Sequence, residues 1–468
     1  MRVLLVQPNY RRTRETGAWL VNPPIGLGYI ASVLEKNNIS VEIIDANALN
    51  LIPEDVALYA KNFDIIGVSM LTPAHRFGVA LANHELLKNK LKVVGGPHAS
   101  GYPEELLESG FDIVVRGEGE YSFLEIVQGK NLKDILGISF KDNGKIIHNK
   151  NRPELDVDKL PFPARHLMIK NGVDLPYLSA GTQYRPWSPI FTSRGCPYDC
   201  NFCNKKVFGY KFRPRSPENV VKEIDFLVKN YGVKEIDIYD DTFNLDIERA
   251  EKILDLIIER NYKIYIRTTN GLRADKVTRR FLEKMKKAGC IYIAYGIESG
   301  DQSVLDKIPK AETLEDIRRA VKLTKEVGIP VCGFIMFGLF GDTKETMQKT
   351  IDFTKELDLD FVAVNLTTPY PGTKLFDRIK KEGKFLFDFN KWEDFHHTSG
   401  RMCFTHPDVA SPKEVEEAYQ RAYREFYFRP RYLIRQLLKV RTWEQFKGMI
   451  RGGIAIWKGA FKKQKVDL

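Results

Sequence analysis

Short apolar runs alternate with helix-length stretches twice along this chain, and that alternation restricts the fold more than any other feature. In the first 130 residues the runs are Arg2 to Val6, Val41 to Asp45, Ile65 to Ser69, Val93 to Gly96 and Ile113 to Val115. Parallel strands need a return connection of helix length, so five such runs with helical patterns between them predict an α/β, doubly wound parallel sheet of Rossmann-like type. A second series begins at Ile190, with runs Ile190 to Ser193, Glu235 to Tyr239, Ile264 to Thr268, Ile291 to Gly296, Val331 to Phe337 and Phe361 to Asn365. Helical patterns such as Glu218 to Lys229 and Thr343 to Glu356 separate them. Six βα units predict a partial TIM-like (β/α)6 barrel whose chemistry lies at the carboxyl ends of its strands. The length agrees, since 468 residues exceed the roughly 250 to 300 at which single cores stop growing.

Between the two series, Ile138 to Lys141 and Lys145 to Ile147 flank Asn143-Gly144, a short-range hairpin signal. Residues 151 to 190 are rich in proline and lack periodicity, which marks a linker. The expected division is therefore 1–135 for the first domain, 136–189 for hairpin and linker, 190–385 for the barrel, and 386–468 for a helical, basic C-terminal region. No apolar run approaches the roughly 18 residues of a membrane span, which argues against an integral membrane protein. Val3 to Val6 stop at Gln7-Pro8 and read as a first strand rather than a secretory segment, so a cytoplasmic location is expected. The six cysteines, none of them before Cys196, do not make a disulfide framework.

The carboxyl ends of the first series carry Asn9, Ser69 to Thr72, Gly95-Gly96-Pro97-His98 and Gly117-Glu118. Doubly wound sheets bind ligands beyond those ends, and glycine lets a ligand approach the backbone. The competing reading of each glycine pair is a tight turn. A nicotinamide site is disfavoured, because Pro8-Asn9-Tyr10 follows the first strand in place of GxGxxG.

The second series opens with Cys196-Pro197-Tyr198-Asp199-Cys200-Asn201-Phe202-Cys203 directly after its first strand. Three thiolates on one tight loop can each ligate an iron, whereas a four-iron cluster needs four ligands, so one iron is left for an exchangeable molecule. A zinc site is the alternative, but structural zinc takes a fourth Cys or His, and the next cysteine, Cys290, is remote in sequence. Cys290, Cys332 and Cys403 read as buried small hydrophobes.

CxxxCxxC with an aromatic residue before the last cysteine, at the first loop of a βα series, resembles the radical S-adenosylmethionine superfamily. That resemblance implies a [4Fe–4S] cluster on Cys196, Cys200 and Cys203 and S-adenosylmethionine on the open iron, with Phe202 beside its adenine. It also implies cofactor contacts from Asp240, Arg267, Asn270, Glu298, Gly333 and Ile335, each at or near a strand end. Phe340 stands where the family usually has proline, which leaves that turn open. The acids have second readings: Asp342 and Asp246 as helix N-caps, and Glu298 and Asp240 as partners of neighbouring Arg or Lys.

The doubly wound domain ahead of this loop resembles the cobalamin-binding half of the largest subclass, so the resemblance spans roughly residues 1 to 385. It implies cobalamin contacts from Asn9, Ser69, Thr72, Gly95, Gly96, Pro97, His98, Gly117 and Glu118. The DxHxxG signature of corrinoid proteins with a histidine on cobalt is absent, so His98 reads as a surface or hydrogen-bonding histidine before an axial ligand. The implied activity is a 5′-deoxyadenosyl radical abstracting hydrogen from an unactivated carbon, with cobalamin-assisted methyl transfer or carbon–carbon or ring formation. Oxidative cyclases of tetrapyrroles share this layout, as do enzymes that join lipid carbons. An electron donor such as a ferredoxin or flavodoxin is the expected partner. A non-catalytic corrinoid and iron–sulfur electron carrier is the rival from another class, and the incomplete ligand set argues against it.

Of the net charge of +11, most lies at the C-terminus, where residues 421–468 hold 13 Lys+Arg against three Asp+Glu. Basic residues interleave there with Tyr427, Phe428, Tyr432, Leu433, Leu437, Trp443, Phe446, Ile450, Ile454, Trp457 and Phe461, and Thr442 with Gln445 forms a capping-box signature. Such a helix suits an anionic membrane surface, which would favour an isoprenoid- or hopanoid-like lipid substrate over another small molecule. The alternative is a terminal helix docked on the barrel with a solvated basic face. Nucleic acid is a third reading, and the sequence does not favour it.

Overall fold

The computed structural model describes residues 1–10, 21–168, 177, 181–388, 391, 392, 395, 397–439 and the single positions 453, 454, 457 and 461. The first sheet contains β1 (Arg2–Gln7), β2 (Ser40–Asp45), β3 (Ile65–Ser69), β4 (Leu91–Gly95), β5 (Ile113–Val115), β6 (Ile138–Asp142) and β7 (Lys145–His148), ordered β2-β1-β3-β4-β5-β6-β7. The first five strands are parallel, and the strand order reverses between β1 and β3. Such a reversal opens a crevice beyond the strands' carboxyl ends. Helices cover both faces, so the strands bury apolar side chains on both sides, with Val3 and Leu5 in one core and Leu4 and Val6 in the other. The hairpin around Asn143-Gly144, which the sequence reading set apart with the linker, extends this sheet antiparallel to β5.

The second sheet starts at β8 (Trp187–Ile190), three residues earlier than expected. Pro189 hides this strand in the sequence, and the fold accepts it because β8 pairs only with one neighbour, where a missing N–H is tolerated. Ser193 instead belongs to β9 (Ser193–Arg194), paired antiparallel with β10 (Arg213–Pro214). The remaining parallel strands are β11 (Glu235–Ile238), β12 (Tyr265–Leu272), β13 (Cys290–Glu298), β14 (Val331–Phe337) and β15 (Phe361–Leu366), giving the order β15-β14-β13-β12-β11-β8. The sheet does not close on itself, and it is the expected partial barrel. Its helices are amphipathic and well bounded: Pro217–Tyr231 has Ser216 as N-cap, Pro217 in its first turn and left-handed Gly232 at its end. A last two-stranded ribbon joins β16 (Lys384–Phe385) to β17 (Phe404–Thr405).

Alternation along the barrel strands divides their side chains between two faces. Ile293, Tyr295, Ile297, Ile335, Phe337 and Val364 enter the core against the helices. Residues of the other parity, among them Thr269, Gly296, Glu298, Phe334, Met336 and Asn365, are half-buried on the concave face.

The open edge at β15 would present unpaired backbone groups. The helix Pro412–Tyr427 covers it: the Tyr427 hydroxyl donates to Val362 O at 2.7 Å and accepts from Val362 N at 3.0 Å. From the next helix, Pro430–Lys439, Tyr432 donates to Asp360 O at 3.2 Å and Arg435 binds Asp358. These residues belong to the barrel rather than to a free tail. The exposed apolar side chains of that helix are Leu433, Ile434, Leu437 and Leu438. Ile454, Trp457 and Phe461 are also exposed, while Thr442, Trp443, Gln445, Phe446 and Ile450 lie outside the described residues.

Candidate active site between two sheets

The cysteine loop leaves the barrel's first strand and is held from both domains. Arg194, immediately before it, is buried with its guanidinium 2.7 Å from Glu118 and 2.8 Å from Glu120, both beyond β5 of the first sheet. Glu118 also binds Arg213 at 2.7 Å and accepts from Leu155 N at 3.2 Å, and the Tyr29 ring lies 4.6 Å from the Arg194 guanidinium carbon. Gly195 follows with φ +82, and a Cβ there would stand 2.2 Å from Lys211 O, so only glycine fits between Arg194 and Cys196. Gly195 N donates to Asp241 at 2.9 Å. Farther on, Arg273 covers the Tyr198 ring at 3.4 Å, and Asn204 Nδ2 donates to Pro97 O and Pro371 O, both at 3.1 Å.

The thiols sit in a polar setting. Thr242 Oγ1 donates to Cys196 Sγ at 3.4 Å. Cys200 and Cys203 share a hydrogen bond that lowers the pKa of Cys200 and raises that of Cys203. Burial alone would lower Lys205, but the neighbouring Cys196, Cys203 and Asp241 outweigh it and hold this ammonium charged beside the loop. By contrast, burial pushes Cys290, Cys332 and Cys403 up to about 12, 11 and 12, so they remain thiols, as small buried hydrophobes do.

The end of β13 faces this loop. Glu298 has φ +60 at a register shift between β13 and β14, uncommon backbone for a residue with a side chain, and it turns the carboxylate back over Gly296. Lys310 lies 3.2 Å from Glu298 and 3.0 Å from Glu312 and donates to Gly296 O. Phe202 is half-buried against the barrel core, and Asn270 is exposed at the rim with its amide donating to Tyr239 O at 2.8 Å. The other expected barrel residues are placed differently. Asp240 is buried and accepts from Thr192 and Ser193, which braces the strand end below the loop. Arg267 is buried lower in the barrel, 2.8 Å from both Glu235 and Asp237. The side chain of Ile335 and the α-carbon of Gly333 face the helices, so only their backbone can meet a ligand in the concavity. The sequence reading missed Phe334 and Met336, although period-two parity from Ile335 points to them.

Asp246 is the N-cap of the helix Ile247–Glu259, but Asp342 is not a cap. Thr343 caps the helix Lys344–Glu356, while Asp342 accepts from Gly338 N and Leu339 N, each at 2.9 Å, and so sets the turn in which Phe340 replaces proline. Phe340 is buried there, edge-on to His406 at 4.8 Å. Burial pushes Asp342 up to about 7. The native state then keeps a proton that the unfolded chain releases near its ordinary value of about 4. The contribution of Asp342 to stability therefore falls as the pH rises from about 4 to about 7 and is level above that. Unfolding titrations should show the wild type losing stability relative to Asp342→Asn across this window. A difference independent of pH would refute it.

At the first sheet's edge, Asn9, Ser69, Gly95, Gly96, Pro97 and Gly117 are half-buried, in contrast to the fully buried residues behind them. Three expected contacts are placed elsewhere, and the first, Thr72, is buried with its Oγ1 against His98. Both Glu118 oxygens serve Arg194, Arg213 and Leu155 N, because the barrel docks on that corner. His98 is not a surface histidine: it is 0% exposed, with Nδ1 3.1 Å from Thr72 Oγ1 and Nε2 3.5 Å from Glu105.

Residues 190–354 match the family model described as the Radical SAM superfamily, and residues 20–127 match the B12 binding domain. An uncharacterized methyltransferase of Pyrococcus horikoshii is 34% identical over 451 residues, covering 94% of this chain and 95% of its own. The anaerobic magnesium-protoporphyrin IX monomethyl ester cyclase of Rubrivivax gelatinosus is 28% identical over 491 residues, covering 100% of this chain and 84% of its own. Among solved structures, the radical S-adenosylmethionine methyltransferase TsrM of Kitasatospora setae, with cobalamin and a [4Fe-4S] cluster bound, has a TM-score of 0.70 at 19% identity. It covers 92% of this chain and 89% of its own, a likeness of fold.

Proposed function

The chain belongs to the cobalamin-binding radical S-adenosylmethionine enzymes, and from that premise we propose that it transfers a methyl group to, or forms a carbon–carbon bond or ring at, an unactivated carbon of an apolar small molecule. A [4Fe–4S] cluster, S-adenosylmethionine and cobalamin are the family's cofactors. Bound here, they supply an electron for cleaving the sulfonium and a carrier for methyl groups.

The residues fit these groups. Cys196, Cys200 and Cys203 offer three soft ligands on one loop, and the chain's other cysteines are buried thiols, so a fourth metal position falls to a ligand that is not cysteine. Asn9, Ser69, Gly95, Gly96 and Gly117 form an accessible cradle where the strand order reverses, with Pro97 beside it. We read residues 1–135 and 190–385, with Phe202, Asn270 and Glu298 at the mouth, as the two halves of one site. Lys310 orients Glu298, Lys205 keeps positive charge beside the thiolates, and Phe334 and Met336 give the concavity an apolar floor that excludes water from a reacting carbon.

The single observation carrying this reading is the bond from Asn204, one residue past the last cysteine, to Pro97 at the first sheet's edge, which joins the cysteine loop to the edge read as the cobalamin cradle. A lipid substrate is favoured by the apolar floor and by Leu433, Ile434, Leu437 and Leu438 on a helix followed by a basic tail, a face suited to peripheral contact with an anionic membrane. No helix among the described residues is long and apolar enough to cross a membrane. Anaerobic reconstitution with S-adenosylmethionine and a low-potential donor such as reduced flavodoxin is expected to yield 5′-deoxyadenosine. If none forms while the cluster stays intact, the electron-carrier reading replaces this one.

A further inference from the structure

On the first domain, next to the Pro97 carbonyl that receives Asn204, three helices bring together two imidazoles and a carboxylate. His75 begins the helix His75–Ala82, His98 lies in Pro97–Gly101 and Glu105 in Pro103–Glu108. One ligand atom from each lies within 4.8 Å of the other two. His75 Nε2 stands 2.7 Å from one Glu105 oxygen and His98 Nε2 stands 3.5 Å from the other.

We propose that His75, His98 and Glu105 form a second metal site for a divalent first-row ion of the zinc class. Tetrahedral ligands about 2.1 Å from zinc stand about 3.4 Å apart, so three ligand atoms within 4.8 Å of one another need to shift by no more than about 1.4 Å to bind one ion. The supporting bonds are those of a metal centre. With an ion on Nε2, Thr72 Oγ1, 3.1 Å from His98 Nδ1, is placed to accept the Nδ1 proton, and Ser109 Oγ donates to Glu105 at 2.8 Å. Among the described residues these two histidines are the only ion-pair partners of Glu105, so one carboxylate and two imidazole nitrogens make up the donor set.

Access is one-sided. Trp392 closes the inner side, edge-on to His98 at 5.0 Å, while Glu105 keeps 22% of its side chain exposed and gives an ion and a fourth, water ligand their entry. Because His98 is sealed beneath Trp392, this site is separate from the cobalamin cradle. The ion would tie the helices after β3 and β4 together where the barrel docks.

The test uses the full chain with its cluster reconstituted, so that Cys196, Cys200 and Cys203 are occupied before zinc is added and the excess removed. One zinc per chain is expected in addition to the cluster iron, with an anomalous-scattering peak at the zinc edge between the three side chains in crystals. His75→Gln and His98→Gln should lose the zinc and keep the iron, and Thr72→Ala should weaken zinc binding on the order of 10-fold or more. Iron-replete protein without zinc, a peak elsewhere, or zinc retained by both histidine variants overturns the proposal. If the variants do not fold, the wild-type anomalous map alone decides.

Discussion

Alanine at any one of Cys196, Cys200 or Cys203 is expected to strip most of the iron from the protein and reduce 5′-deoxyadenosine formation to background. Two cysteines cannot hold a four-iron cube whose remaining position must stay exchangeable. The matched control is serine at Cys290, Cys332 or Cys403, which should leave iron content at the wild-type level and cost only packing stability, because these are buried thiols in strands and loops. Iron quantitation beside product analysis separates the outcomes. Full iron with undiminished turnover in any triad variant would remove the basis of the functional reading.

Arg194→Ala should lower the stability of the whole chain by about 3 to 5 kcal/mol, the range for removing one partner of a buried ion pair. Glu120 loses its guanidinium partner and Glu118 retains Arg213 and Leu155 N, in a pocket where both carboxylates are buried. Arg194→Lys should recover part of the loss, since an ammonium keeps the charge but lacks the planar guanidinium that holds Nη1 between both acids. Denaturant unfolding measures the stability, and the cluster's electron paramagnetic resonance spectrum reports whether the loop has moved. A loss under about 1 kcal/mol would mean that solvent reaches the pair and that it is worth no more than a surface bridge.

Period-two and helical patterning made the strand series legible, because parallel strands buried on both faces are continuous apolar runs. β8 escaped because proline normally argues against a strand and only its edge position permits Pro189. The cysteine loop was legible because its spacing is local. The tertiary use of charge was not: Glu118 and Glu120 are far from Arg194 in sequence, and nothing in either segment says that one domain's strand-end acids hold the other's loop. His98 shows the same limit, since its partners Thr72, Glu105 and His75 come from three other positions. Gly333 and Ile335 were read by motif without assigning a face, whereas parity from the core residues selects Phe334 and Met336.

Backbone meets backbone where the two halves touch. A Cβ on Gly101 would fall 2.4 Å from Pro371 O, and one on Gly372 would fall 2.8 Å from the Gly101 α-carbon. Nothing at that point can be trimmed to bring the halves nearer, and any larger residue would act as a wedge. The separation of the two halves is therefore set at this point by main chain alone, and no change of side chain on either domain can shorten it.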